Sequence, residues 1–219
     1  MGTRRTLNFN EIAREITANA AALHVEVTTL AQLFSTTQFL GDNRNFPHAH
    51  YGYLMACMGQ LDLMSKCEYG LNDPEGGQTP RMQSFMDRYF DAQKADEHRV
   101  AIQLMRHTLM HTGALRYLYE DETETAYTWR IHFGDTFPTD VGHYTLTAED
   151  RTYQEDLLNA VNGNVATVKA LNLRLTDFAA DIVRVAESYT TAMVTNAAMQ
   201  TTCELVYPTR RVQRLKPMD

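Results

Sequence analysis

At 219 residues the chain is long enough for one domain with its own core, and nothing in it marks a fixed-period repeat or a low-complexity tract. A net charge of −7 excludes a broad basic face that would coat nucleic acid, though not a local basic pocket, and without GxxxxGK[ST], GxGxxG or GxSxG there is no support for P-loop, dinucleotide or α/β-hydrolase chemistry. Cys57, Cys67 and Cys203, an odd number with no CxxC, read as reduced thiols of a cytoplasmic protein, and with no signal peptide and no apolar run of roughly 18 residues no membrane span is expected.

The first third reads as helical. Asn10 is the expected N-cap of a helix with Ile12, Ile16, Ala20 and Leu23 on one face, and the apolar stretch from Val25 to Leu40 continues or pairs with it before Gly41-Asp42-Asn43. Pro47 opens a second helix through Tyr51, Leu54, Met58, Leu61 and Met64. The Gly70–Gln78 stretch is loop, and Thr79-Pro80 restarts a helix carrying Met82, Phe85, Met86 and Tyr89. A further helix is expected from about Gln93 to Thr112, stopped by Gly113.

Aromatic and β-branched residues then take over at Leu115–Tyr119, Ala126–Phe133 and His143–Thr147, which predicts a small antiparallel sheet inserted between helices. After Thr147-Ala148-Glu149-Asp150, the three-to-four spacing of Leu158, Val161, Val165, Val168, Leu171, Leu175, Phe178, Ile182, Val185, Tyr189 and Met193 predicts one long core helix or two stacked ones, broken near Asn162-Gly163-Asn164. The expected fold is mainly α: a single domain over 1–219, helical over 8–113, with the β insertion over 114–147, C-terminal helices over 148–206 and a basic tail over 207–219.

The densest chemistry lies in Arg106-His107-Thr108-Leu109-Met110-His111. Arginine holds phosphate charge, and histidine moves protons near neutral pH. Arg106 falls at the edge of the arc formed by Ala101, Ile102, Met105 and Leu109, where it needs a carboxylate such as Asp62, a carbonyl or a bound anion. Arg106 and His111 diverge by about 140° on an ideal α-helix. One phosphate can meet both only if the arginine reaches round, the helix end unwinds, or two chains face each other.

Arg106 followed by His111 resembles the R-x4-6-H motif of the HEPN superfamily (higher eukaryotes and prokaryotes nucleotide-binding domains), with His107 at the polar position, late on an internal helix of a bundle. The resemblance covers the helical parts, 10–113 and 150–200; the β insertion departs from a minimal bundle. It implies a HEPN-like bundle and a metal-independent endoribonuclease or RNA-binding protein with no cofactor, acting as a homodimer with paired motifs. Many such proteins are toxins or defence nucleases with an antitoxin or other protein partner. Arg106 would hold the scissile phosphate, His111 would transfer a proton and His107 would orient it. Arg44 and His50 satisfy a longer form of the motif, in a loop broken by Pro47.

Two other readings stand beside this one. The chain is also compatible with a non-catalytic helical interaction module. His107 and His111, spaced i and i+4, and the His48/His50 pair have ligand spacing for a metal-dependent hydrolase, although no His-Glu-x-x-His is present. The aromatics Tyr117, Tyr119, Tyr127, Trp129, Phe133 and Tyr144 read as packing for the sheet, with base stacking as the functional alternative.

Overall fold

The computed structural model describes residues 7–36, 47–70, 78–109, 118–120, 122–132, 143–148 and 165–207. Among them the protein is mostly helical, with one four-stranded mixed sheet.

Helix α1 (Phe9–Thr36) is continuous. Its cap is Asn8 rather than Asn10: the Asn8 side chain accepts from the Glu11 N–H at 3.0 Å, and the Glu11 carboxylate accepts from the Asn8 N–H at 3.1 Å. Each side chain thereby satisfies one of the amides that the first helical turn leaves without a partner. The expected stripe is buried and extends through Val27. Helix α2 (Pro47–Tyr69) begins at the proline, where the missing N–H costs nothing. It packs against α1, α3 (Gln78–Tyr89) and both C-terminal helices, α5 (Leu175–Val194) and α6 (Ala197–Val206). Surrounded in this way, it buries Leu54, Met58, Leu61 and Met64 completely.

The helix expected from Gln93 is wound three ways. A 3-10 turn (Ala92–Lys94), capped by Asp91 accepting from the Gln93 N–H, leads into α4 (Ala95–Ala101), which passes into a π-helical segment (Ile102–Leu109). Residues 110–117, including His111 and the Gly113 stop, lie outside the described residues.

Strands β1 (Leu118–Glu120), β2 (Thr125–His132) and β3 (Thr145–Ala148) fall close to the three aromatic segments. The sheet is not purely antiparallel as expected. A fourth strand, β4 (Thr167–Arg174), lies inside it in the order β1-β2-β4-β3, parallel to β2 and antiparallel to β3. The expected helix is therefore corrected to a strand over Thr167–Arg174, and the sheet reaches beyond 147. A central strand is covered on both faces, so Val168, Ala170, Leu171 and Leu173 are all buried. Such a run contains three-to-four spacings by accident. The other half of the expected helix is real: Phe178, Ile182, Val185, Tyr189 and Met193 form the buried face of α5.

The main core joins both layers. Tyr127, Tyr144, Leu171 and Leu173 from the sheet segment meet Phe85, Phe178 and Tyr189 from the helices. The helical run 92–109 lies along this seam.

Candidate functional site

Arg106 and His107 stand on the π-helical backbone, which packs against α2, α3 and α4. Their side chains, and all of His111, lie outside what is described. The winding itself bears on the motif. Hydrogen bonds from i to i+5 close a wider ring than in an α-helix, with about 4.4 residues per turn, so residues five apart diverge by about 50° rather than about 140°. Long π segments are rare, and shorter ones recur at functional sites. Asp62, the carboxylate considered for Arg106, receives hydrogen bonds from Gln78, from Lys66 and, at 3.2 Å, from the buried Arg81.

One turn before Arg106, a cleft of about 190 Å³ opens between the helical run and the β1–β2 hairpin. Arg99 and Gln103 line one side, Tyr119, Glu120 and Tyr127 the other. The Arg99 guanidinium donates to Glu120 at 2.9 Å and to the Tyr127 hydroxyl at 3.3 Å, and lies over the Tyr127 ring. Thr123 and Arg99 hold the Glu120 carboxyl below its ordinary value.

A second hollow of about 190 Å³ lies at the other end of the run, lined by Phe90, Asp91, Lys94, His98, His143, Tyr144, Asp181 and Arg184. His98 is fully buried on α4 and meets Asp87 of α3 through Nδ1 at 2.6 Å. A carboxylate only accepts, so Nδ1 carries the proton and, in the neutral ring, Nε2 keeps its lone pair. His143 is held the opposite way. Its Nδ1 accepts from the Arg174 N–H at 3.1 Å, which leaves its proton on Nε2, 3.4 Å from Asp181 and too poorly aligned for a hydrogen bond.

Between the two histidines, Tyr144 adopts the left-handed conformation with φ 54°, unusual for a bulky side chain. Lys94 Nζ donates to the Tyr144 carbonyl at 2.9 Å and the His143 carbonyl at 3.4 Å, pinning the turn. The Tyr144 ring stacks on Phe178, with centroids 5.7 Å apart. Burial, then the charges of Glu97, Asp181 and Asp87, push its phenol well above the ordinary value, so it stays protonated. Burial opposes ionisation of Asp181, but His143 and Arg184 outweigh it and hold the carboxyl below its usual value.

The described aromatics of the β segment pack as expected: Trp129 meets Tyr51 edge-on at 6.1 Å, and Tyr127 and Tyr144 are buried. Met58, Met64, Met82, Met86 and Met105 are buried core residues. Among the described residues, no three His, Cys, Asp or Glu side chains gather as metal ligands; the side chains of His48, His50 and His107 are outside that set, as is His111. Sequence reasoning missed Asp87, Lys94, His98, His143 and Asp181. One signal was available: His98 shares three-to-four spacing with Ile102 and Met105, placing it on the buried face. No family model, curated protein or solved structure matches the chain.

Proposed function

We propose that this is a HEPN-like protein that binds and cleaves RNA without a metal, with Arg106, His111 and His107 as its centre. In the reaction the RNA 2′-hydroxyl attacks the adjacent phosphorus, its proton passes to a base, and the 5′-oxygen leaves with a proton. Arg106 holds the phosphate as charge builds on its oxygens; His111 is the proton-transfer group, and His107 orients the pair. The observation that carries the reading is the π winding of the backbone at Arg106. Along π winding, residues five apart diverge by about 50°, against about 140° on an α-helix. Further support comes from the mainly helical setting. A homodimer pairing two motifs, a cytoplasmic toxin or defence role, and an antitoxin partner belong to the same proposal by family analogy.

The test is incubation of the purified protein with mixed RNA in EDTA, beside Arg106→Ala and His111→Ala variants of unchanged circular dichroism. Chelator-resistant cleavage, lost in both variants, is expected. Cleavage that survives in both would refute the site. Saturable RNA binding without cleavage would assign the chain to the binding members, and neither binding nor cleavage would leave the helical interaction module.

A further inference from the structure

We propose that Cys67 and Cys203 form an intramolecular disulfide under a peroxide oxidant, stapling α6 to the last turn of α2, with Cys203 as the sulfur that reacts first. The inference stands apart from the ribonuclease reading.

The first argument is position. Cys67 lies in the last turn of α2 and Cys203 in α6, and the two helices pack on each other. They approach closely at this point: a Cβ at Gly70 would lie 3.7 Å from the Thr202 methyl. Both cysteines are buried in the main core, and the Cys67 thiol donates a hydrogen bond to the Cys203 sulfur. Thiols in such contact need to close by only an ångström or two to reach the roughly 2.05 Å of a disulfide. Cys57, earlier on the same helix, is held by burial and a backbone hydrogen bond instead.

The second argument is the asymmetry of the pair. Cys203 Sγ also accepts from the Tyr189 hydroxyl of α5, which lies among sulfurs, 4.0 Å from Met193 Sδ. The hydrogen bond from Cys67, joined by that from Tyr189, outweighs burial and the Glu204 charge and holds the Cys203 thiol below its ordinary value. Donation to Cys203, together with burial, pushes the Cys67 thiol up. The thiolate is the form that peroxides oxidise, so Cys203 leads and Cys67 resolves.

The third argument is access. Neither cysteine exposes any surface, so the oxidant must be small and the site must open locally. Helix α6 is suited to open. It has 10 residues, carries Leu205 at 80% exposure and follows an Asn196-capped break after α5. Two polar contacts tie it to the start of the chain: the Phe9 N–H donates to Glu204, and the Tyr207 hydroxyl donates to Glu15. Short elements with exposed faces open at the low end of local stability.

The chemistry closes without a cofactor. The Cys203 thiolate attacks one peroxide oxygen, the O–O bond breaks, and hydroxide leaves and takes up the thiol's proton as water. The Cys67 sulfur then attacks the sulfenic sulfur of Cys203. The S–O bond breaks, hydroxide takes the Cys67 proton as a second water, and the S–S bond forms. Two thiols are oxidised and one hydrogen peroxide is reduced to two waters.

The test treats the reduced full-length chain with hydrogen peroxide in native buffer, alkylates it under denaturing conditions and maps its peptides by mass spectrometry. One linked pair carrying Cys67 and Cys203 is expected, two hydrogens lighter than its parts and released by dithiothreitol, with Cys57 alkylated. Oxidation should raise the urea midpoint by about 1–2 M, because the link constrains the unfolded chain. In concentrated urea the fold no longer selects the pair, so links to Cys57 should appear. Cys67→Ser should leave a sulfenic acid on Cys203 that dimedone traps, whereas Cys203→Ser should leave Cys67 untrapped, both at unchanged circular dichroism. The mapping of the parent chain stands even where a serine variant fails to fold. The proposal is overturned if both cysteines stay alkylatable after prolonged oxidation, if the native link includes Cys57 or joins two chains, or if dimedone labels Cys67 in preference to Cys203.

Discussion

Replacing Tyr144 with Phe should stabilise the protein. Tyr144 is 3% exposed, and among the described residues its hydroxyl has no hydrogen-bond partner. Burying such a group costs about 1–3 kcal/mol. Phenylalanine sheds that cost and keeps the ring's contacts with Phe178, Phe90 and His98. A gain of about 1 kcal/mol follows, which at a urea dependence of about 2 kcal/mol/M moves the midpoint up by about half a molar. Tyr144→Gly sets the opposing terms against each other. It relieves left-handed strain of roughly 1–2 kcal/mol but deletes a buried aromatic ring worth about 3–5 kcal/mol, so packing wins and the variant is destabilised. Equilibrium urea unfolding followed by circular dichroism decides both. A Phe variant less stable than the parent by more than about 0.5 kcal/mol would refute the reasoning, because the hydroxyl would then be making a bond worth keeping.

Asn8→Ala should cost about 1 kcal/mol in urea unfolding, while Asn10→Ala stays near neutral, because the reciprocal cap is made by Asn8 and Glu11; equal effects would dispute the helix start. Asp181 has a depressed carboxyl in the folded chain. Its contribution to stability is therefore present above the ordinary carboxylate value and lost as pH falls through the lower folded value. Asp181→Asn should flatten this acid limb in thermal melts between pH 7 and pH 3, and an unchanged limb would contradict the contacts of Asp181 with Arg184 and His143. All three cysteines are buried and free, and burial pushes Cys57 up to about 12. Ellman's reagent at pH 8 should find no fast thiol until denaturant is added; a rapid native reaction would contradict that packing.

The helices were legible wherever a local rule decided them. Pro47 marks the start of α2, and the Ile12, Ile16, Ala20 face is buried as the period demands. The strand β4 was not legible, because a central strand between β2 and β3 is apolar in both phases and its residues also satisfy a helical count. Nor could the parallel pairing of β2 with β4 be read, since that is settled by how the chain crosses to β3 and returns. The motif around Arg106 was visible as residues on a helix; its winding was not, because a π turn leaves no residue-type signature. The hollow was hidden for a different reason. Asp87 reaches His98 across the corner between α3 and α4, and Asp181 approaches His143 from α5, so both pairs are made by tertiary packing.

The same helical run explains why chemistry-bearing residues face different surroundings over a short stretch. On a uniform α-helix Lys94 and His98 lie about 40° apart, whereas Arg99 and Gln103 lie about 140° and about 180° from Lys94, on the other side. Here the run changes from 3-10 through α to π, tightening at one end and widening at the other. Lys94 and His98 turn to the hollow beside the 143–144 turn, whereas Arg99 and Gln103 turn to the β1–β2 cleft. A π turn advances each residue by a smaller angle than an α turn, so the backbone beyond Ile102 is rotated relative to an α-helical course. Separate surroundings on the two sides of one run thus follow from the spacing of its residues, and the π winding adds a rotation only beyond Ile102.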